Sequence, residues 1–520
     1  MDMRKSVLLC LAIVLLLGGT AMGEMKTLRL SLASDPETLD IQQQLSGNML
    51  EFSHWVFDPL VRYAQDMSFE PRLAQRWEQI DPTTLRFHLA RDVKFHSGNP
   101  FTAKDVVFTV ERMKRSVDFK GLFEAFETPV IVDDYTVDIK TNKPYSLVLN
   151  MATYIFPLDS VFYTGTDSKG QPKDAVVKAG YSFANETLPS GTGPYRCTFR
   201  EHGVKMVMER NAGYWDKKSP GNIGTIILTP IKEEATRVAA LLSGDVDFIY
   251  PVPPQDFTRI EKDPKVNLVT FTGGRIITVQ MNQNRLAPLR VKKVRQAINL
   301  ATNNTGIAEK IMKGTATPAG QLSPKGYKGY NEALVPLYDL KKAQALMKEA
   351  GYEKGFEASM IAPNNRYVND EKIAEAFATM MSKINIKINL KTMPKAQYWD
   401  EFDKQVADFQ MVGWHSDTED SGNFYEFLAM CPNKETGYGQ YNSGNYCNPE
   451  VDRLTLTCQT ETDLAKRSAM LQEIEKILYD DASCVTFHWQ NHSYGARKDL
   501  DVQPIVNVMN FPYIGDLVWK

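Results

Sequence analysis

The sequence predicts an α/β protein built on a parallel sheet, and two stretches carry that prediction. In the first, Glu357 to Ala362 (EASMIA) reads as a buried strand, and Glu371 to Ile384 sets Ile373, Phe377, Met381 and Ile384 on one helical face. Ile384, Ile386, Ile388 and Leu390 then alternate as another strand. This strand-helix-strand order is the unit of parallel pairing, because parallel neighbours need a long crossover. In the second stretch, Ala407 to Trp414 reads as a short strand, with Phe409, Met411 and Trp414 on the face away from Gln410 and Val412. The polar run Ser416 to Gly422 breaks it.

Loops that follow such strands are candidate binding loops, since open α/β sheets take ligands beyond the carboxyl ends of their strands. The loop PNNRYVND carries Arg366, and Asn369 or Asp370 is placed to cap the helix after it. The loop after Trp414 carries three carboxylates, Asp417, Glu419 and Asp420. A guanidinium and a carboxylate held apart on one sheet edge suit a zwitterion, each making charge-assisted hydrogen bonds to the opposite charge. The same residues also fit blander roles: an arginine in a structural ion pair, acids in a solvated turn, and Trp414 in a core. Read alone, they leave both sets of roles open.

From the amino terminus, Met1 to Gly23 has the form of a secretory signal. Arg4 and Lys5 precede an apolar run from Val7 to Leu17, and Ala21-Met22-Gly23 offers a small-residue cleavage site. The run is too short to span a bilayer, so the mature chain is expected to be exported, soluble and periplasmic, beginning near Glu24. Leu28, Leu30 and Leu32 read as a strand before the turn at Asp35-Pro36, and Ser46 to Leu60 as a helix. Leu85, Phe87 and Leu89 alternate as a strand that Val93 and Phe95 extend. Thr102 with Asp105 forms a capping-box pattern ahead of a Val106, Val110, Met113 stripe. Tyr163 to Ser190, rich in Gly, Ser, Pro and Lys, reads as a crossover between domains. Tyr338 to Tyr352 reads as a helix capped by Asp339 and closed by Gly351.

Composition narrows the function classes. A chain of 520 residues exceeds one domain at roughly 100 to 200 residues each. Its formal net charge of −3 comes from mixed acids and bases, with no basic footprint for nucleic acid and no polybasic membrane patch. Neither GxSxG, HExxH nor a Walker A motif occurs, so no hydrolase or nucleotide-binding reading arises. The seven histidines are scattered, and His488 and His492 lie in a strand-like VTFHWQNH that does not put both on one helical face. No cofactor and no metal site are expected. Of six cysteines, Cys10 leaves with the signal. Cys431 and Cys447 bracket a Gly/Asn/Tyr-rich segment and are expected to close it as a disulfide, with a Cys458–Cys484 pair as a weaker expectation and Cys197 left over.

The run FHLARDVKFHSGNPFTAKDVVFTVER, Phe87 to Arg112, resembles the signature of the family 5 extracellular solute-binding proteins. These are the dipeptide-, oligopeptide- and nickel-binding proteins of ABC importers. DPETLD (Asp35 to Asp40), SGTGPY (Ser190 to Tyr195), ERNAGYWD (Glu209 to Asp216), the helix-plus-GDVD segment Ala235 to Asp247, VRQAINLATN (Val294 to Asn303) and YDLKKAQALMKEAGY (Tyr338 to Tyr352) follow in family order.

The resemblance implies a non-enzymatic, three-domain, cluster C type II periplasmic binding protein, with two main lobes, a hinge and an extra domain. Carried onto this chain, residues 24–57, 183–276 and 490–520 form domain I, 58–182 the extra domain II, and 277–489 domain III. Ligand is then enclosed between the first and third by hinge closure. In the dipeptide-binding branch an Arg in an RPYNP-like loop holds the ligand carboxylate and an Asp after a GW dipeptide holds its amino group. NRYVND and GWHSD place Arg366 and Asp417 there, with Tyr367, Gly413, Trp414 and His415 beside them and Ser46 and Gly47 at a backbone-contacting loop. The same branch closes the following loop with a disulfide, which Cys431 and Cys447 match. The implied partners are a short peptide or related zwitterion and the permease of an ABC importer, with the protein a monomer. The departures are DSGNF for the family's DPDNF, His415 after the GW pair, and Tyr367 where the dipeptide pattern has Pro. His415 keeps a nickel chelate or another small amine or metallophore as the alternative ligand.

Overall fold

The computed structural model describes residues 25–520, so the expected signal, Met1 to Gly23, lies outside the described residues. One sheet of eleven strands organises the chain. In chain order these are β1 (Lys26–Ser31), β2 (Tyr195–Glu201), β3 (Lys205–Arg210), β4 (Ile223–Leu228), β5 (Phe248–Ile249), β6 (Val266–Met281), β7 (Ala316–Pro318), β8 (Phe356–Pro363), β9 (Ile386–Met393), β10 (Phe409–Trp414) and β11 (Cys484–Arg497). Their spatial order is β9-β8-β10-β6-β11-β5-β1-β4-β3-β2, with β7 paired to β11. The β8–β9 and β8–β10 pairs are parallel, as the strand-helix-strand reading predicts, whereas β6 runs antiparallel to both β10 and β11.

The helix that crosses from β8 to β9 shows why its sequence folds that way. It spans Asp370–Ser382 and buries Ile373, Phe377 and Met381 against β8 and β9, each such side chain contributing roughly 1.5–3 kcal/mol. Strand β10 is buried on both faces, and here the structure corrects the sequence reading. Phe409 and Met411 enter the core beneath this helix, while Trp414 joins Val412 on the opposite side with Phe424, Tyr425 and Tyr446. Strict alternation puts residues 412 and 414 on one face, whatever their size.

A second sheet of four antiparallel strands, Ala74–Asp81, Thr84–Leu89, Thr136–Lys140 and Val130–Asp133, carries its own core of Phe87, Phe95, Val106, Val110 and Met113. The helix Ala103–Arg115 starts at the expected capping box, Asp105 accepting from the Thr102 amide at 2.7 Å. Val93 and Phe95 are buried but do not extend the strand, because the chain turns after Leu89. The helix of the first segment is shorter than expected, Gly47–Val56 rather than Ser46 to Leu60, and it ends ahead of Asp58-Pro59, where the residue before a proline disfavours helix. Arg112 is wholly buried and pairs with Asp40 at 2.5 Å, so two of the family-like motifs are tied together by one ion pair.

The Cys431–Cys447 disulfide is present, as expected. Cys458 and Cys484 are not joined; with Cys197 they are free, buried thiols, pushed up by burial to about 11 for Cys458 and about 12 for Cys484. Thiols held so far above neutral pH stay protonated and unreactive. Among the described residues, no helix is long and apolar enough to cross a membrane.

Candidate functional site

The candidate loops lie at one sheet edge because β8 and β10 are parallel neighbours, with Met360 beside Phe409 and Ile361 beside Gln410. Arg366 therefore follows one strand end and Asp417 the next. Asp370 fixes the arginine loop. Its carboxylate accepts from the backbone N–H of Arg366 at 2.9 Å, of Tyr367 at 3.0 Å and of Glu371 at 2.9 Å. Asn369 is the helix cap, in a left-handed conformation with φ 56°.

Tyr367 ties this loop to the next strand. Its buried hydroxyl accepts from the Gly413 N–H at 2.9 Å and from Arg366 Nε at 2.9 Å, and donates to the Gly413 carbonyl at 3.3 Å. Gly413 must be glycine for that approach, since a Cβ there would lie 2.6 Å from Ile277 Cδ1 and 2.8 Å from Tyr367 Cε1. The Arg366 guanidinium sits over the rings of Tyr367 and Trp399, 5.1 and 4.9 Å from their centroids. No carboxylate among the described residues reaches it within 4 Å, so a planar five-donor cation is presented with no ionic partner.

The acidic loop sorts its three carboxylates into three fates. Asp420 caps the helix Ser421–Leu428, accepting from Gly422 N at 2.8 Å, and receives both Arg467 nitrogens at 2.7 Å in a buried fork. Glu419 is buried with φ 52° and accepts from the Tyr327 hydroxyl at 2.5 Å; burial pushes its carboxyl up to about 8. Asp417 alone has a carboxylate with no hydrogen-bond donor or cation from the protein among the described residues. It is exposed, yet the protein crowded around it raises its carboxyl above the ordinary aspartate value, with Arg275 pulling the other way. The loop backbone is held: Ser416 Oγ accepts from Asp420 N at 2.9 Å, and Asn423 Oδ1 receives Asp417 N at 3.3 Å and Trp414 Nε1 at 2.8 Å.

The other candidate residues divide. Trp414 is half-buried and packs on Phe427 and Tyr441, with centroids 4.9 and 4.7 Å away, so it is wall and core together. His415 donates from Nδ1 to the Ser416 carbonyl at 3.0 Å. Burial, then the charge of Arg275, pushes it down to about 4, leaving a neutral ring with a free Nε2 lone pair. Ser46 and Gly47 stand apart at the start of the helix Gly47–Val56, where Ser46 accepts from Met49 N at 3.4 Å and Gly47 faces open space. No hydrogen bond links them to Asp417 or Arg366.

The sequence reading missed Arg275. It precedes Ile276, which pairs with Trp414, and this places it beside His415 at the same edge. It is half-buried, it has no hydrogen-bond acceptor or carboxylate within reach among the described residues, and burial lowers its guanidinium, with Arg366 adding and Tyr367 and Asp417 opposing. The one signal was Gly273-Gly274 inside a strand pattern, which marks a bulge or a close backbone approach. A cavity of about 250 Å³ between Asn299, Leu346, Tyr479 and Cys484 shares none of these residues, and another of about 270 Å³ touches only the back of the loop, through Glu419, Asp420 and Tyr327.

Comparison with known proteins bears on the family and the fold. The family description "Bacterial extracellular solute-binding proteins, family 5 Middle" matches residues 68–436. A dipeptide-binding protein of Escherichia coli K12 is 28% identical over 96% of each chain. Heme-binding protein A of Haemophilus influenzae is 28% identical over 83% of this chain and 81% of that one. The solved structure of HbpA2 from Haemophilus parasuis superposes with a TM-score of 0.84 at 24% identity, covering 95% of this chain and all of that one, and shows a common fold.

Proposed function

The chain belongs to the bacterial extracellular solute-binding proteins of family 5, binding components of ABC importers with the type II periplasmic binding fold, and we propose that its cargo is a short, dipeptide-like zwitterion. The observation that carries this reading is the pair of unsatisfied charges. Asp417 and Arg366 are held through their loop backbones on neighbouring strand ends, and neither has an ionic partner among the described residues.

In this reading the peptide's amino group pairs with Asp417 and its carboxylate with Arg366. Domain I (24–57, 183–276, 490–520) closes on domain III (277–489), with 58–182 as the extra domain, and Ser46 and Gly47 come in from the facing lobe. Closure removes water and strengthens both pairs. Fixed ends set ligand length, while hydrated pockets accept varied side chains. The protein is exported through its amino-terminal signal, works as a monomer in the periplasm and delivers cargo to a membrane permease.

The test is a thermal-shift screen of the mature protein against dipeptides, tripeptides, amino acids and nickel with and without chelators, because a ligand that binds only the folded state raises Tm. Dipeptides are expected to stabilise, and the effect to vanish when either terminus is blocked or in Asp417→Ala or Arg366→Ala, at a cost of roughly 2–5 kcal/mol of binding. A second reading, a nickel chelate or other small amine or metallophore, rests on His415, whose neutral ring keeps Nε2 unused at the same edge. Stabilisation by a nickel chelate alone would replace the peptide reading with it.

A further inference from the structure

The long strand β6 is interrupted where it passes the site. Thr272 pairs with Asn491 and Ile276 with Trp489, so Gly273, Gly274 and Arg275 together oppose the single residue Gln490. A bulge of this kind bends a strand and re-aims its side chains. The two glycines make it feasible. A Cβ on Gly273 would lie 2.4 Å from His492 Nε2 and 2.7 Å from the Gln490 carbonyl, and one on Gly274 would lie 2.9 Å from His415 Nε2. The bulge thus packs its backbone against two imidazoles and leaves Arg275 as its one side chain, at the edge shared with Asp417 and Arg366.

The charges at this edge do not balance. Among the described residues, Arg366 and Arg275 are two cations without carboxylate partners, and Asp417 is one carboxylate without a cation within 4 Å. The neighbouring acids do not correct this: Asp420 is spent on Arg467, and Glu419 is buried on Tyr327. His415 and His492, which flank the bulge, are held neutral by burial and by Arg275 itself. A zwitterion answers one cation and one anion and leaves the second cation over. On the two-ended reading of the site, from which this inference proceeds, we propose that Arg275 binds a second acidic group on the ligand, so that the preferred cargo is a peptide carrying a side-chain carboxylate and a net negative charge.

The experiment is isothermal titration of the mature protein with Ala-Glu, Ala-Ala and Ala-Lys, using wild type, Arg275→Gln, Arg275→Lys and Asp417→Asn. Wild type is expected to bind Ala-Glu about 10- to 100-fold more tightly than Ala-Ala, the size of one charge-assisted hydrogen-bonded pair, and Ala-Lys more weakly than either. Arg275→Gln is expected to abolish that preference while Ala-Ala affinity stays within about threefold, and Arg275→Lys, which keeps the charge without the fork, to restore part of it. Asp417→Asn is expected to weaken all three peptides alike. Equal wild-type affinity for the three, still dependent on Asp417, would overturn the role of Arg275 and leave the two-ended clamp standing. An equal loss for Ala-Glu and Ala-Ala in Arg275→Gln would show a structural arginine and also overturn it. No binding of any of the three would overturn both.

Discussion

Asp417 and Asp420 stand three residues apart in one loop and lead opposite lives. Asp420 is almost wholly buried, caps a helix and holds Arg467 in a two-pronged pair. Asp417 is exposed, and its loop is braced through the backbone while no protein donor among the described residues meets its carboxylate. The same contrast separates the arginines: Arg467 and Arg112 pair with carboxylates inside the fold, whereas Arg366 gives its Nε to the Tyr367 hydroxyl and neither it nor Arg275 meets a carboxylate among the described residues. In this molecule buried pairing marks charges that build the fold, and Asp417, Arg366 and Arg275 stand without it among the described residues.

The contrast breaks most visibly at Arg467. Arg467→Ala leaves Asp420 buried and uncompensated and is expected to cost roughly 3–5 kcal/mol of stability in urea unfolding. Asp417→Asn, measured alongside without ligand, is expected to stay within about 0.5 kcal/mol of wild type. If both variants lose the same stability, the distinction between building and binding charges fails.

A middle-sized effect is expected at Asp370, which touches no ligand in the proposed pose but holds the backbone on either side of Arg366. Asp370→Ala removes three accepted hydrogen bonds at roughly 0.5–1.5 kcal/mol each. Peptide affinity should fall less than in Arg366→Ala, and Asp370→Asn, which keeps an acceptor, should recover most of it in titration calorimetry. Full affinity in Asp370→Ala would show that the loop is ordered without it.

The smallest effect sharpens the comparison through pH. Glu419 is raised by burial to about 8 from an ordinary 4.5, so between those values the folded protein keeps a proton that the unfolded chain releases. Its contribution to stability is complete below about pH 4.5 and lost as pH rises through about 8. The part of the denaturation midpoint that Glu419 supplies should therefore decline from pH 5 to pH 8, against the opposite trend of His415 and His492, which burial keeps neutral, and Glu419→Gln, which keeps a partner for Tyr327, should remove that part of the wild-type slope. Glu51, also raised by burial to about 8 beside Tyr250, leaves part of the slope in place. An unchanged slope in Glu419→Gln would mean that Glu419 is ionised in the native protein.

The sequence by itself determined the strand-helix-strand unit, several helix starts and one disulfide. Periodicity marked the helix that carries Ile373, Phe377 and Met381, capping chemistry marked Thr102 with Asp105 and Asp339 at helix starts, and short-range cysteine spacing anticipated Cys431–Cys447. These signals are legible because they arise among residues no more than 16 positions apart. Only the tertiary structure decided which carboxylate of the acidic loop stays unpaired, since the cation that removes Asp420 from contention lies 47 residues on, in a helix the loop cannot specify. It also decided that Trp414 shares a face with Val412, that Cys458 and Cys484 stay apart, and that Arg275 stands at the site. Arg275 is there because strands more than two hundred residues apart fall out of register by two residues, and a mismatch of pairing is a property of two segments together, not of either sequence read alone.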